Sequence, residues 1–219
     1  PAVREKLRPN YGFGCKRPSI SNDYLRTFNR SNVELVTDRI ERITPTGIVT
    51  ADGCEREIDT LVLSTGFKVY EKGNTPPFEM FGRDGIELGD FWEKNRYQAY
   101  EGASVPGFPN MFLIWGPYSA SGSSWFAMIE ANVHHALRCL KEARAKNVRL
   151  VEVSAEANAT YFADILARQQ NTVFYNQDCS RSNSYYFDKH GDAPFYRPSS
   201  GIEMWLRART FPLSDYRFT

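Results

Sequence analysis

The sequence predicts an α/β fold with a buried parallel sheet, and three features carry this prediction. Ile58–Phe67 is an apolar run that ends on Ser64, Thr65 and Gly66, and Met111–Trp115 is a second apolar run that ends on a tight loop. A segment with apolar residues at helical spacing follows that loop. Buried parallel strands read as apolar runs, and ligands of open α/β sheets bind beyond the carboxyl ends of the strands. The two strand ends are therefore typical of a dinucleotide-binding sheet, although no glycine fingerprint for a dinucleotide precedes them.

The first part of the chain is polar and turn-rich and predicts a short antiparallel meander. Tyr24–Phe28 is predicted as one or two helical turns, and the alternation in Asn32–Val36 predicts a strand. Arg39–Thr44 and Ile48–Ala51 are separated by turn residues and predict a hairpin. This hairpin would lead directly into the Ile58–Phe67 strand.

Residues 68–109 are rich in Gly, Pro and aromatic residues without clear periodicity, so we expect an irregular excursion there. Ser123 or Ser124 can cap the helix that follows the second strand. Its apolar residues at helical spacing are Phe126, Ile129, Val133, Ala136, Leu137 and Leu140.

The last third of the chain predicts a strand, a helix and an aromatic tail. Val148–Val153 has the composition of a short strand, and Ser154 can cap a helix that runs to about Arg168. After Asn171 the residues are rich in Tyr, Phe, Pro and Arg without a clear period. We expect this tail to pack onto a larger body.

Composition excludes several classes of function. The chain has 219 residues and a formal net charge of +1, with no basic stripe, so nucleic-acid binding is not supported. The longest apolar runs are far shorter than the roughly 20 residues that a membrane span needs. The four cysteines are scattered, with neither a CxxC pair nor a His/Cys cluster, so we expect no metal site, no disulfide and reduced thiols in a cytoplasm. Because the chain begins at Pro1 without an initiator Met, we interpret it as a fragment whose natural start lies upstream.

The adjacent cations Lys16 and Arg17 are the first candidate functional residues. They follow the glycines Gly12 and Gly14, but Arg17 occupies the position where a dinucleotide fingerprint needs Gly or Ala, so this loop is not a phosphate cradle of that type. Two solvated surface charges are the simpler interpretation. The guanidinium fork of an arginine suits an oxyanion and a lysine suits a phosphate, so a phosphate-bearing cofactor is the alternative.

The loop Gly116–Gly122 is the second candidate. A glycine-containing loop that runs into a helix presents free backbone N–H groups and the positive end of the helix dipole, which stabilise negative charge. An ordinary helix cap after a strand is the competing interpretation. His134, His135 and His190 are interpreted as structural or surface residues, and no Ser-His-Asp pattern with a nucleophile elbow supports a hydrolase.

Three motifs in order resemble the class B flavoprotein monooxygenases. They are the loop Tyr11–Arg17, the strand end Ser64–Phe67 and the segment Gly107–Pro117. More narrowly, the chain resembles the C-terminal part of a Baeyer-Villiger-type monooxygenase, from about Arg4 to Phe174.

The resemblance implies two Rossmann-like dinucleotide-binding domains in the parent protein. Residues 1–70 would be the C-terminal half of an NADPH-binding domain and residues 71–108 an irregular crossing between domains. Residues 109–150 would supply the closing strand and helix of an FAD-binding domain, and residues 151–219 a helical and irregular extension. The missing N-terminal half of the same protein would then be a partner of this chain.

The resemblance also implies cofactors and residue roles. FAD would be tightly bound, and NADPH would reduce it before O2 adds to form a peroxyflavin. Arg17 would lie by the flavin and stabilise that species, while Lys16 would contact the 2′-phosphate of NADPH. The further cofactor-binding positions implied are Ser64, Thr65, Gly66, Gly116, Pro117, Ser121, Gly122 and Ser123.

Two departures and two alternatives accompany this interpretation. The family often has Ser-Trp-Tyr where this chain has Ser184-Tyr185-Tyr186, and Lys68 stands at a commonly acidic or polar position.

The preferred function is insertion of one oxygen atom of O2 into an organic substrate, a ketone giving an ester. The alternatives are N- or S-oxygenation by the same flavin, and a non-catalytic remnant that does not bind flavin. Because no pyrophosphate cradle is present, we expect the isolated chain not to retain FAD or NADPH.

Overall fold

The computed structural model describes residues 2–219, and their contacts divide the chain into two compact units. The N-terminal unit contains the residues up to Asn10 together with Arg17–Phe67. The C-terminal unit contains Tyr11–Lys16 and Lys68–Thr219. The short segment Tyr11–Lys16 thus folds with the C-terminal part of the chain, because it pairs with the tail. Each unit is described separately.

The N-terminal unit contains two short helices and a small antiparallel sheet. Helices α1 and α2 span Ala2–Lys6 and Tyr24–Thr27. The sheet has the order β1-β2-β3, with strands Ile40–Ile43, Gly47–Thr50 and Glu55–Glu57. Both pairs are antiparallel, so the predicted helical turn and the predicted hairpin are confirmed.

The predicted buried strand Ile58–Phe67 is wrong. The structure has irregular, extended chain there, and Val62 is 78% exposed. The last strand of the meander is Glu55–Glu57, which ends just before this segment. Within residues 2–219 no strand pairs with the segment, so its apolar side chains are not buried in a sheet. Asn32–Val36 likewise forms no strand.

The C-terminal unit contains four helices of eight residues or more and a two-stranded sheet. The helices are α3 Leu88–Asn95, α4 Trp125–Ala145, α5 Ala155–Gln169 and α6 Gly201–Thr210. Strands β4, Val151–Val153, and β5, Tyr216–Phe218, pair antiparallel. The bounds predicted for α4 and α5 are close to those observed. Ser154 caps α5 as expected, because its hydroxyl accepts a hydrogen bond from the Ala157 N–H at 3.1 Å.

Two helices were not expected. Helix α3 lies in the predicted irregular excursion and begins where the Glu87 carboxylate accepts hydrogen bonds from the N–H groups of Gly89 and Asp90. Helix α6 lies in the aromatic tail and is capped by the Ser200 hydroxyl. Both are short, and their first turns are stabilised by side-chain caps, which supply partners for otherwise unsatisfied N–H groups.

The predicted strand Met111–Trp115 is also wrong. The Leu113 N–H donates to the Ala103 carbonyl at 2.7 Å, and Trp115 has a left-handed backbone with φ of 66°. A β ladder cannot continue through such a conformation. The segment is therefore an irregular connection to the loop before α4.

Helix α4 buries a different face from the one predicted. Its buried residues are Met128, Ala131, Asn132, His135, Cys139 and Ala143. The predicted apolar stripe faces outward: Phe126 is 79% exposed, and Val133, Leu137 and Leu140 are exposed as well. Helix α4 thus has large apolar residues on the side that the C-terminal unit leaves uncovered.

A disulfide joins Cys15 to Cys179, so the expectation of four reduced thiols is wrong. The Cα atoms are 5.3 Å apart although the residues are 164 positions apart in the chain. The Gly12 N–H also donates to the Asp178 carbonyl at 3.2 Å. The tail thereby holds the Tyr11–Lys16 segment, whose last residue is a predicted cofactor contact.

This bond predicts a stepwise thiol count. Cys54 is exposed, whereas Cys139 is buried and burial raises the pKa of its thiol to about 12. A thiol reagent should react rapidly with one cysteine in the native chain and with two after denaturation without reductant. All four should react after denaturation with reductant. Cys54→Ser should remove the rapid phase, and four reactive thiols in the unreduced denatured chain would show that the bond does not form.

Candidate functional site

The loop Gly116–Ser123 is held on one side by the tail of the C-terminal unit. The Tyr118 N–H donates to the Pro194 carbonyl at 2.6 Å, and the Arg197 N–H donates to the Ala120 carbonyl at 2.6 Å. Ala120 and Tyr196 form a parallel bridge. Tyr118 and Ala120 are buried, whereas Gly122 and Ser123 are exposed. The loop therefore has a fixed first part and an accessible end.

The accessible end of the loop presents unused hydrogen-bonding groups. Ser124 occupies the N-cap position of α4, but its side chain makes no capping hydrogen bond. The first N–H groups of a helix have no intrahelical partner and stabilise negative charge. The hydroxyl oxygen of Ser121 is buried and has no hydrogen-bond partner among the described residues. A side chain at Gly122 would meet no atom within 4 Å.

Lys16, in the C-terminal unit, keeps an exposed ammonium group 5.2 Å from the centre of the Tyr11 ring. Among the ion pairs of residues 2–219, none involves Lys16 or Arg17. Arg17 is exposed and belongs to the N-terminal unit, as do Ser64, Thr65 and Gly66. These three residues are exposed, and a side chain at Gly66 would meet no atom within 4 Å. The predicted site residues are thus divided between the units, and each cation has a charge available for a ligand.

An apolar cleft of about 300 Å³ borders the loop in the C-terminal unit. Its wall includes Tyr70, Trp92, Trp115 and Phe195, and it reaches Gly116, Pro117 and Ser119. None of its lining residues is charged. The cleft suits an apolar organic group.

Relatives and solved structures carry the same region. An uncharacterised monooxygenase of Mycobacterium tuberculosis is 34% identical over 192 residues, which are 87% of this chain and 37% of that protein. A Baeyer-Villiger monooxygenase of Pseudomonas aeruginosa is 36% identical over 162 residues, which are 74% of this chain and 30% of that protein. The crystal structure of cyclohexanone monooxygenase from Rhodococcus sp. Phi1 bound to NADP+ superimposes with a TM-score of 0.78 and 26% identity. It covers 95% of this chain and 39% of its own. No family model matches the chain.

The chain is similar to the C-terminal part of Baeyer-Villiger monooxygenases. The chain has the α/β fold of that C-terminal region. It spans about a third of the length of the curated relatives that it matches. Another structural neighbour, OTEMO in complex with FAD and NADP, has a TM-score of 0.81 at 25% identity and covers all of this chain. FAD and a nicotinamide dinucleotide phosphate are thus bound by solved structures that this chain resembles.

The residues present in this chain fit part of an FAD site. The uncapped start of α4 and the unpaired Ser121 hydroxyl offer donors to an anionic or carbonyl-bearing ring. Groups that would hold a pyrophosphate, such as a strand followed by a glycine fingerprint, do not occur in the sequence. No cluster of His, Cys, Asp or Glu in residues 2–219 could hold a metal ion. No helix in that range is long and apolar enough to cross a membrane.

Sequence reasoning missed a buried ion pair behind the loop. Glu101 and Arg197 contact each other, with 1% and 2% of their side chains exposed. Each lies in a segment without periodicity, and the two are 96 residues apart. A buried charge needs a partner, so a charged residue within an otherwise aromatic and glycine-rich segment was the available signal.

Proposed function

We propose that the protein carrying this chain is an FAD- and NADPH-dependent monooxygenase that inserts one oxygen atom of O2 into an organic substrate, converting a ketone to an ester. The supporting observation is the match of the chain, in sequence and fold, to Baeyer-Villiger monooxygenases. When bound, FAD accepts a hydride from NADPH and reacts with O2. The protein contributes charge stabilisation, placement of the cofactors and exclusion of water.

We assign a role to each of the predicted site residues. Arg17 places a guanidinium where negative charge develops beside the flavin, and Lys16 binds the 2′-phosphate of NADPH. Ser121, Gly122 and Ser123 direct the start of α4 towards the flavin ring. Gly116 and Pro117 position the loop beside the apolar cleft. Ser64, Thr65 and Gly66 leave room for a cofactor to approach the backbone.

The partner that we propose is the N-terminal region that the relatives have and this sequence does not contain. The outward apolar face of α4, with Phe126, Val133, Leu137 and Leu140, has no cover in the C-terminal unit. Several large apolar side chains exposed together on one surface are typical of an interaction site. The additional sequence of the relatives is long enough to supply that cover, because this chain spans only 30–37% of them.

A chimaera tests this function. The chain is joined to the N-terminal region of the Pseudomonas aeruginosa enzyme, and FAD content, NADPH oxidation and products from a cyclic ketone and a thioether are measured. We expect stoichiometric FAD and lactone from the ketone, while the 219-residue chain alone binds little FAD. The intact Pseudomonas enzyme is the positive control.

Other outcomes would contradict specific parts of the proposal. Sulfoxide without lactone would indicate a heteroatom oxygenase. A folded chimaera without flavin would indicate a non-catalytic remnant. Stoichiometric FAD on the isolated chain would show that the N-terminal region is not needed for binding.

A further inference from the structure

The loop that leads into α4 is enclosed by three segments of the C-terminal unit. The backbone hydrogen bonds of Tyr118 and Ala120 fix its outer side to the tail. Its inner side lies on the turn Tyr100–Ser104. A side chain at Gly102 would come within 2.5 Å of the Ser119 Cβ, so turn and loop are in direct contact.

The start of α6 contacts the end of the loop on another side. A side chain at Gly201 would lie 2.7 Å from the Ser123 Cβ and 3.5 Å from the Ser121 hydroxyl oxygen. The residues with proposed flavin contacts are thus bordered by helix α6, and a shift of this helix would move them.

One buried carboxylate connects these three segments. Glu101 belongs to the turn, and its backbone has a left-handed conformation with φ of 53°. It contacts the guanidinium of Arg197, in the tail, and accepts a hydrogen bond at 2.6 Å from Nε of Arg207, in α6. The Arg197 guanidinium also lies over the Tyr161 ring, 5.5 Å from its centre. We call Glu101, Arg197 and Arg207 the loop clamp.

We propose that the loop clamp positions Ser121, Ser123 and the N-terminus of α4 for the flavin, so that Glu101 and Arg197 are positioning residues of the oxygenation reaction. This inference rests on the proposed function. A buried ion pair often contributes little net stability compared with apolar side chains of the same volume. Because Glu101 contacts both the tail and α6, we assign to this pair the role of fixing the loop between them. Misplacement of a cofactor contact by about 1 Å costs on the order of a hundredfold in rate.

Variants of the chimaera test the proposal, with Glu101→Gln, Arg197→Lys and Arg197→Met compared with the unmodified protein. We expect FAD to remain bound but its visible spectrum to shift, and the oxygenation kcat to fall by about tenfold or more while KM for NADPH stays within about twofold. The fall in kcat should be smaller for Arg197→Lys than for Arg197→Met, since lysine keeps the positive charge. Glu152→Gln is the matched control, because Glu152 pairs with Arg83 and bonds to the Gly107 N–H in the same unit but does not touch the loop.

A single substitution could leave a buried charge unpaired and prevent folding. The double variant Glu101→Leu with Arg197→Met removes both buried charges and leaves Arg207, which is partly exposed, solvated. It should fold and show the same spectral shift as the single variants. A folded double variant with the unmodified spectrum and kcat would overturn the proposal.

Hydrogen exchange on the 219-residue chain separates this inference from the proposed function. In the double variant the amide of Tyr118 and the amide at position 197 should exchange about tenfold faster, after correction for the changed side chain, while those in the middle of α5 keep their rates. If the unmodified chimaera holds no FAD, the proposed function fails, and exchange still decides whether the clamp holds the loop. Unchanged exchange at Tyr118 and at position 197 would show that it does not.

Discussion

Replacing Arg17 with alanine in the chimaera is expected to abolish measurable ester formation while flavin reduction by NADPH continues. Arg17 is exposed and has no carboxylate partner in residues 2–219, so its charge is available to a ligand. Loss of one group that stabilises developing negative charge typically lowers kcat by about 10²–10³-fold. Under the proposed function, flavin reduction by NADPH comes before that step, so we expect it not to need Arg17. Stopped-flow absorbance of the flavin and chromatography of the products measure the two steps separately.

Two other substitutions make the Arg17 result specific. Arg30→Ala removes an exposed arginine of the same unit and should leave both steps unchanged. Lys16→Ala should instead raise KM for NADPH, since Lys16 is assigned to the 2′-phosphate. Normal ester yield from Arg17→Ala would exclude the assignment, whereas equal losses of reduction and oxygenation would indicate a general structural role.

Acid is expected to destabilise the C-terminal unit through His135. Burial, together with the positive charges of Arg138 and Arg197, lowers the pKa of His135 to about 3. Its Nε2 atom lies 2.6 Å from the Tyr216 hydroxyl, and its ring stacks on Phe211. In the unfolded chain a histidine has a pKa of about 6.5, so below that pH the unfolded state binds a proton that the folded state excludes. The free energy of unfolding is therefore not reduced by His135 above about pH 6.5, and it decreases as the pH falls towards about 3.

The expected decrease is about 2 kcal/mol between pH 7 and pH 5 and about 4–5 kcal/mol over the whole interval, from about 1.4 kcal/mol per pH unit. Urea unfolding followed by tryptophan fluorescence measures it, because all four tryptophans lie in the C-terminal unit. The interval from pH 7 to pH 5 lies above the ordinary carboxylate pKa values, which limits their contribution.

The neighbouring histidine provides the control for His135. His134→Gln changes an exposed residue and should preserve the pH dependence, whereas His135→Gln should remove most of it. The comparison uses the slope with pH, since His135→Gln also loses the contact with Phe211. A pH dependence that persists in His135→Gln would assign the acid sensitivity to another group.

The elements that the sequence predicted correctly depend on local signals. The β1-β2 hairpin follows from its turn residues, and α5 follows from its Ser154 cap and helical spacing. The two wrong strands, Ile58–Phe67 and Met111–Trp115, are apolar runs whose structure depends on a neighbouring strand. Strand formation needs partners that are remote in the chain, so composition alone does not decide it.

The same distinction holds for the candidate site. The free cations Lys16 and Arg17 and the loop before α4 were visible in the sequence, because residue type and spacing already define their chemistry. Their roles in cofactor binding stay predictions until the variants are measured. The face of α4 that is buried was not predictable, because either of its two faces offered residues that could pack.

By itself the sequence determined the family resemblance, the hairpin, the two longer helices α4 and α5 and the cationic loop. Only the tertiary structure decided the Cys15–Cys179 bond and the contact of Glu101 with Arg197. The physical reason is that both join segments about a hundred residues or more apart, and nothing in the local sequence selects one remote partner over another. Folding brings the two sulfur atoms of the disulfide together, and a buried charge needs a partner of opposite sign because it is isolated from water.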